Sequence, residues 1–348
     1  MRKIVIRRIK KVDILFLDEN YSNLKMSKFS SDYLNFNEIN LFCLKFLIIN
    51  LVRKLFSLSI KDIYLKSIIE AYSPKIVIDH SINGRALRVK RYLKNVFCIT
   101  YQHSFFYDWE KKTYKKRFKG LSCDLFITFS TKDTEFLSKF IKSKFISLGS
   151  IKNNEINLQR SKFKIPILLI SEFRRREKTL HYKKFREITE LTRIFCAKNK
   201  IIPFVAINSI RKDKKKKISL EQEINFFKKY LRVFKWRKIN NYKLSSQSKM
   251  TIALSSNLAV ELLARGFKTA LINLVGEVKK NNSIPYYHKK KTFFVLNSPR
   301  KKIMNKLDYI YYMENSLWKK KIKNFSHIMF DKNNKKFKTI IQNIIQKS

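Results

Sequence analysis

The apolar positions of this chain fall into two alternating kinds of run. Short continuous runs such as Lys75-Ile76-Val77-Ile78, Val96 to Thr100, Ile165 to Ile170 and Met250 to Leu254 have the length and β-branched content of buried strands. Between them, apolar residues recur at helical spacing. Ile60, Ile63, Tyr64, Ser67, Ile68 and Ala71 predict a helix that Pro74 stops. A loop, Asp79 to Gly84, and a short helical segment, Ala86 to Leu93, then complete a strand-helix-strand unit.

The alternation continues through a polar segment, Asp108 to Gly120, a strand at Asp124 to Phe129, a helix from Thr131 carrying Phe136, Leu137, Phe140 and Ile141, and a strand at Lys144 to Leu148. Polar residues dominate Ile151 to Lys164, which marks a domain boundary. Beyond it come the strand Ile165 to Ile170, a helix with Phe185, Ile188, Leu191 and Phe195, and the strand Ile201 to Ile207. Ser219 and Gln222 make a capping box ahead of Ile224, Phe227 and Leu231. The cleanest unit follows: strand Met250 to Leu254, loop Ser255 to Asn257, helix Leu258 to Arg265, stop at Gly266 and strand Thr269 to Asn273. A strand at Thr292 to Leu296 and a helical C-terminal region close the chain. The pattern predicts an α/β protein of two Rossmann-like domains with mostly parallel sheets, residues 1–155 and 156–348, the second including the terminal helix.

Composition changes this picture only at the surface. Among 348 residues, 77 Lys and Arg oppose 26 Asp and Glu, a formal charge of +51 that excludes an acidic scaffold, while 45% hydrophobic content excludes a disordered polycation. The excess of Lys has two readings, biased codon usage or attraction to a polyanion, whether nucleic acid or an anionic membrane. Lysine is scattered, with short blocks at Lys212, Lys214 to Lys217 and Lys289 to Lys291, and no basic stripe with interleaved aromatics marks a nucleic-acid face. Five glycines leave no G-x-G-x-x-G loop, so a phosphate site must use something else. The four cysteines show neither a C-x-x-C pair nor zinc-finger spacing and are expected as reduced thiols. The basic start, Met1 to Lys11, precedes an apolar run too short for a signal peptide. In the most apolar stretch, Leu41 to Ile60, Lys45, Arg53 and Lys54 interrupt any span, leaving a buried helix or a basic amphipathic helix lying on a membrane.

In open α/β sheets ligands sit beyond the carboxyl ends of strands, which directs attention to Asp79 to Gly84, Tyr101 to Ser104 and Ser255 to Asn257. Ser255, Ser256 and Asn257 open a helix whose N-terminal amides favour an anion such as a diphosphate, and Glu261, one turn in, is placed for a ribose. An ordinary N-cap with a solvated Glu is the alternative. His103 directly follows a strand, where an imidazole can serve as general base or be merely structural. Tyr286, Tyr287 and His288 could stack on a base or sugar, or cover the core.

Several segments resemble bacterial surface-carbohydrate (O-antigen) biosynthesis proteins with a GT-B glycosyltransferase-like fold. They are Ser73-Pro74-Lys75-Ile76-Val77-Ile78, Ile99-Thr100-Tyr101-Gln102-His103-Ser104, Leu148-Gly149-Ser150, Ile167 to Arg174, Ser255 to Gly266, and Asp331-Lys332-Asn333-Asn334 followed by Phe337. The resemblance implies two domains facing across a cleft and transfer of a sugar from a nucleotide-sugar to a lipopolysaccharide or other surface-glycan acceptor. It places the donor phosphates near Ser256 and Asn257 and the ribose near Glu261, with acceptor and catalytic groups around Gln102 and His103. Ser255 is expected beside the donor and Ser104 on the acceptor side, with His103 catalytic, and Arg174 is expected to stabilise the departing diphosphate. Arg265 is a weaker candidate for the departing diphosphate. The chain departs from the family pattern at Ser255 to Val260 and at Gln102-His103-Ser104. No D-x-D pair suggests a metal, so no metal or other cofactor is expected and the nucleotide-sugar serves as substrate. The expected place of action is cytoplasmic, at the inner face of the membrane, with nucleic acid not expected as partner. The rival readings are a basic nucleic-acid-binding protein and a catalytically altered or epimerase-like relative.

Overall fold

The computed structural model describes residues 3–5, 9–17, 29–34, 38–40, 43–52, 59–81, 84–93, 95–105, 111–158, 164–174, 177–207, 219–272, 293–296, 298–325 and 328–347. The chain forms two compact units, one of residues 1–104, 112–155 and 329–348, the other of residues 105–111 and 156–328.

The first unit contains strands β1 (Lys3–Val5), β2 (Ile14–Phe16), β3 (Ser31–Tyr33) and β4 (Glu38–Asn40), then helices α1 (Leu44–Val52) and α2 (Ile60–Tyr72). β5 (Ile76–His80), α3 (Arg85–Val89), β6 (Phe97–Tyr101), α4 (Lys111–Phe118), β7 (Ser122–Thr128), α5 (Thr131–Leu137), β8 (Lys142–Ser147) and α6 (Ile151–Asn154) follow. β1 pairs with β4, and the remaining strands form one parallel sheet in the order β3-β2-β5-β6-β7-β8. Ser59 caps α2 by accepting from the Asp62 amide, and Ser73 ends it in the left-handed region with Pro74 next. Every residue of β5 is buried, as a strand covered on both faces requires.

The second unit contains β9 (Ile165–Ile170), α7 (Leu180–Lys198), β10 (Phe204–Ala206), α8 (Leu220–Tyr230), β11 (Lys235–Trp236), α9 (Asn241–Ser246), β12 (Ser248–Ala253), α10 (Asn257–Ala264), β13 (Thr269–Ile272), β14 (Val295–Leu296), α11 (Arg300–Tyr312) and α12 (Asn315–Phe325). Its six strands are all parallel in the order β11-β10-β9-β12-β13-β14. By chain order this reads 3-2-1-4-5-6, with the reversal between β9 and β12. The predicted capping box at Ser219 and Gln222 is present on α8.

The terminal helix α13 (Lys335–Lys347) corrects the expected division of the chain, because it lies with the first unit and not the second. Phe337, Ile341 and Ile345 pack into the core made by Ile14, Ile76, Ile78, Ile99 and Leu125. Burying that apolar face is the physical reason for the return. Other differences are local. The segment read as polar from Asp108 contains α4, α5 ends at Leu137, before Phe140 and Ile141, and neither α9 nor the two-residue β11 was anticipated.

Candidate functional site

The reversal of strand order in the second unit brings the end of β9 beside the end of β12. Glu172, two residues past β9, points its carboxylate into the loop after β12. Its Oε1 accepts from the backbone amides of Leu254 at 2.8 Å, Ser255 at 2.8 Å and Ser256 at 3.1 Å, and its Oε2 accepts from the Ser255 hydroxyl at 2.6 Å. Converging amides at a helix N-terminus make an anion nest, and here the chain's own carboxylate sits in it. The amides of Leu254, Ser255 and Ser256 are thereby taken, and the expected diphosphate position, at the amides after Ser256, lies beyond them. Ser256 is the N-cap of α10 and makes no side-chain cap bond, so the dipole end of α10 begins at Asn257.

Glu172 is itself held from behind. His181, in the first turn of α7, donates from Nε2 to the Glu172 carbonyl at 2.8 Å. Burial and the charge of Arg174 hold this imidazole below its ordinary value, which favours the neutral form. Arg174 is exposed at the same strand end.

Glu261 does not face solvent. It is 6% exposed, and the Tyr242 hydroxyl, from α9, donates to its Oε2 at 2.6 Å. Arg265 donates from Nη1 to the Ile156 carbonyl at 2.8 Å; burial lowers its pKa, while Glu261 and Tyr242 favour its charge. Leu258 to Leu263 are all buried, so this helix has little outward face on which a solvated carboxylate could sit. Arg265 thus has a structural use at the end of α10.

The corresponding strand ends of the first unit carry different chemistry. At β5, Asp79 Oδ2 accepts from the amides of Arg85 at 2.7 Å and Ala86 at 3.1 Å, capping α3, whose N-cap Gly84 has no side chain to do so. Gly84 is in the left-handed region, and a Cβ there would stand 2.9 Å from the Phe118 ring. Asp79 Oδ1 is buried with no hydrogen-bond partner. Burial raises the pKa of Asp79, against the pull of His80, the α3 amides and Arg85.

The ring of His103, just past β6, lies 5.0 Å from that of His80 at an interplanar angle of 43°, and its amide donates to the Ser81 hydroxyl at 3.4 Å. Gln102 is 1% exposed and joins two strand ends, donating from Nε2 to the Ser104 carbonyl at 3.0 Å and accepting at Oε1 from the Phe129 amide at 2.9 Å. Its amide is engaged within the fold, and Ser104, the other residue expected on the acceptor side, contributes its carbonyl to the same clamp.

Sequence reasoning passed over Glu172, His80 and Tyr242. His80 carries the signal that singled out His103, an imidazole at the end of an apolar strand. Glu172 and Tyr242 reach their partners across 82 and 19 residues, distances that no local spacing encodes. Tyr286, Tyr287, His288, Asp108 and the lysine blocks lie outside the described residues. The four cysteines are buried thiols pushed up to about 11 or 12 by burial, so none is a poised nucleophile.

Residues 105–345, more than half of the chain, match the family described as "putative O-antigen biosynthesis protein". The chain belongs to that family. No curated protein matches the sequence at a significant level. Among solved structures, the chain is similar to the UDP-GlcNAc 2-epimerase of Neisseria meningitidis bound to UDP-GlcNAc, at 11% identity and a TM-score of 0.56 over 100% of both chains. It is similar to CalG4, the calicheamicin glycosyltransferase, at 10% identity and a TM-score of 0.55 over 98% of this chain and 99% of that one. A third is MnaA of S. aureus, solved with UDP, at 9% identity and a TM-score of 0.54 over 99% and 97% of the two chains. These likenesses establish the fold, GT-B, with its two Rossmann-like units.

Two short motifs of this O-antigen family member turn out to build one structural joint. Gly149 is in the left-handed region, and a Cβ there would meet the Met329 carbonyl oxygen at 2.1 Å. Asp331 donates its amide to the Leu148 carbonyl at 3.1 Å and caps α13 by accepting from the amides of Lys336 and Phe337. Asn334 accepts from Asn154 Nδ2 at 3.0 Å and donates to the Ile151 carbonyl at 2.8 Å. Leu148-Gly149-Ser150 and Asp331 to Phe337 therefore dock the terminal helix onto its unit.

Proposed function

We propose that the chain is a glycosyltransferase that moves a sugar from a nucleotide-sugar onto a surface-glycan acceptor, without a metal. The observation that carries this reading is the 3-2-1-4-5-6 reversal in the second unit, which sets an anion nest and a helix N-terminus beside each other at strand carboxyl ends. Membership in an O-antigen biosynthesis family and likeness to a UDP-GlcNAc-bound enzyme support it.

In this reading the diphosphate lies at the first-turn amides of α10, beyond Ser256, with Arg174 supplying a positive charge as the bond from the anomeric carbon to the diphosphate oxygen breaks. Glu172 holds Ser255 and Ser256 rigid and leaves the α10 terminus to the phosphates. His103 accepts the proton of the acceptor hydroxyl as its oxygen bonds to the anomeric carbon. His80 stands behind it. A lipid-linked acceptor would place the protein at the inner face of the cytoplasmic membrane.

The test is a thermal-shift and calorimetry panel of nucleoside diphosphates and nucleotide-sugars. One nucleotide class should raise the melting temperature, and no response to any of them overturns the reading. A second reading, sugar-nucleotide epimerisation, is favoured by the likeness to a 2-epimerase and by the paired imidazoles, which could act as acid and base. Incubation with the donor alone separates the two: a transferase leaves it unisomerised, an epimerase does not.

A further inference from the structure

Among the described side chains of α1 an amide is buried while three aliphatic ones are exposed. Asn50, a polar residue amid Ile48, Ile49, Leu51 and Val52, is fully buried against α2. Its Nδ2 donates to Ser67 Oγ at 3.0 Å and to Glu70 Oε2 at 2.6 Å, and its Oδ1 accepts from Lys66 Nζ at 2.6 Å. Lys66 and Glu70 also pair with each other. The contact between α1 and α2 thus includes a buried polar network, while Ile48, Ile49 and Leu51 stand 59%, 37% and 47% exposed. Ile60, at the start of α2, is 75% exposed. A surface helix ordinarily turns its aliphatic residues inward and its amides outward. Single exposed apolar residues need no explanation, but three within four positions of a helix whose Asn is buried do.

We propose that this face of α1, with Ile60, docks the protein onto an anionic lipid bilayer. Aliphatic side chains on an interfacial helix sink about 5–10 Å into the headgroup and acyl boundary. Charge selects the occupant. Arg53 and Lys54 lie in the sequence between Leu51 and Ile60, Lys61 is exposed beside Ile60, and the chain carries +51. A second copy would bring another +51 against the first, whereas an anionic leaflet attracts each nearby Lys or Arg. Nucleic acid would answer the charge and leave the isoleucines in water. Among the described residues no helix is long and apolar enough to cross a membrane, so the contact is one of surface docking. It names the membrane-facing element of the reading above and needs none of its sugar chemistry, so vesicle binding and transfer can fail separately.

The experiment is co-sedimentation with vesicles of phosphatidylcholine alone and of phosphatidylcholine mixed with phosphatidylglycerol, at low and high salt. Wild type should bind the mixed vesicles at low salt and lose binding as salt rises. Ile48→Ser, Leu51→Ser and Ile60→Ser combined should weaken partition at least about tenfold, since each exposed aliphatic adds apolar area to the contact. Ile202→Ser, in the second unit and 44% exposed, should change nothing. A melting curve for each variant reports folding, and Leu51→Trp, whose added fluorescence should shift to the blue on mixed vesicles, gives a reading that does not depend on the triple variant. Equal binding by the triple variant and wild type, or no shift from Leu51→Trp, overturns the proposal. So do displacement by RNA that spares the difference between variants and a self-association that the triple variant abolishes without vesicle binding.

Discussion

The strand ends of the two units handle their carboxylates in opposite ways. In the second unit Glu172 meets three amides and a hydroxyl, and Glu261 meets a tyrosine hydroxyl beside a half-buried arginine. In the first unit Asp79 gives one oxygen to α3 and keeps the other buried without a hydrogen bond, and the charge of His80, whose ring lies 5.0 Å from that of His103, acts on it. Satisfied carboxylates build a rigid scaffold, whereas a buried acid with an unpartnered oxygen beside an imidazole is a candidate place for moving protons. In the proposed reading the second unit holds the donor and the first supplies the base.

The contrast is broken most forcefully at His103. If the first unit supplies the base, His103→Ala should lower turnover roughly 100- to 10,000-fold with the melting temperature preserved. Turnover within a few-fold of wild type would move the base to Asp79 or His80.

The scaffold half of the comparison is sharpened at Glu261. Glu261→Ala leaves the Tyr242 hydroxyl and the half-buried Arg265 without their carboxylate, and should cost about 2–3 kcal/mol of stability in a urea titration. Tyr242→Phe should cost about 1 kcal/mol. A Glu261→Ala protein that melts like wild type yet binds nucleotide about tenfold more weakly would return this residue to the ribose, the role its position in the helix suggests.

What the sequence revealed and what it hid divide along the same physical line. Parallel strands buried on both faces are continuous apolar runs, so Ile76 to Ile78, Ile165 to Ile170 and Met250 to Ala253 were visible as strands, and Ser219 with Gln222 announced α8. Local signals could not show that Phe337, Ile341 and Ile345 fill the core of the first unit, because their amphipathic spacing fits any apolar surface. The same holds at the site. Ser255 to Asn257 was legible as the loop that opens α10, and the carboxylate that its amides hold was not, since Glu172 follows another strand.

Glu172→Gln tests whether the filled nest still shapes nucleotide binding. Glutamine keeps an oxygen to accept from the loop amides and removes the negative charge next to the place proposed for the diphosphate. Nucleotide affinity should rise about tenfold, a modest part of the Coulomb energy between charges several ångströms apart at a protein surface. Unchanged affinity would put the phosphates out of reach of this carboxylate and detach the second unit's nest from ligand binding.

The smallest effect is a slope. Burial raises the pKa of Asp79 above its ordinary 3.8, so the folded protein holds this proton more tightly than the unfolded chain does. Between the ordinary and the raised value the native state binds more protons, and stability must fall as pH rises through that window. One such group contributes at most about 1.4 kcal/mol per pH unit. His80, the α3 amides and Arg85 all pull the other way and shrink the window. Asp79→Asn is the informative variant, because its amide oxygen can still accept from Arg85 and Ala86 while its NH2 takes the place of the unpartnered Oδ1. Unfolding free energies measured from pH 3.8 upward should decline less steeply in the Asn variant than in wild type. Parallel curves would mean that Asp79 ionises at its ordinary value, and the first unit's strand end would then be as well satisfied as the second's.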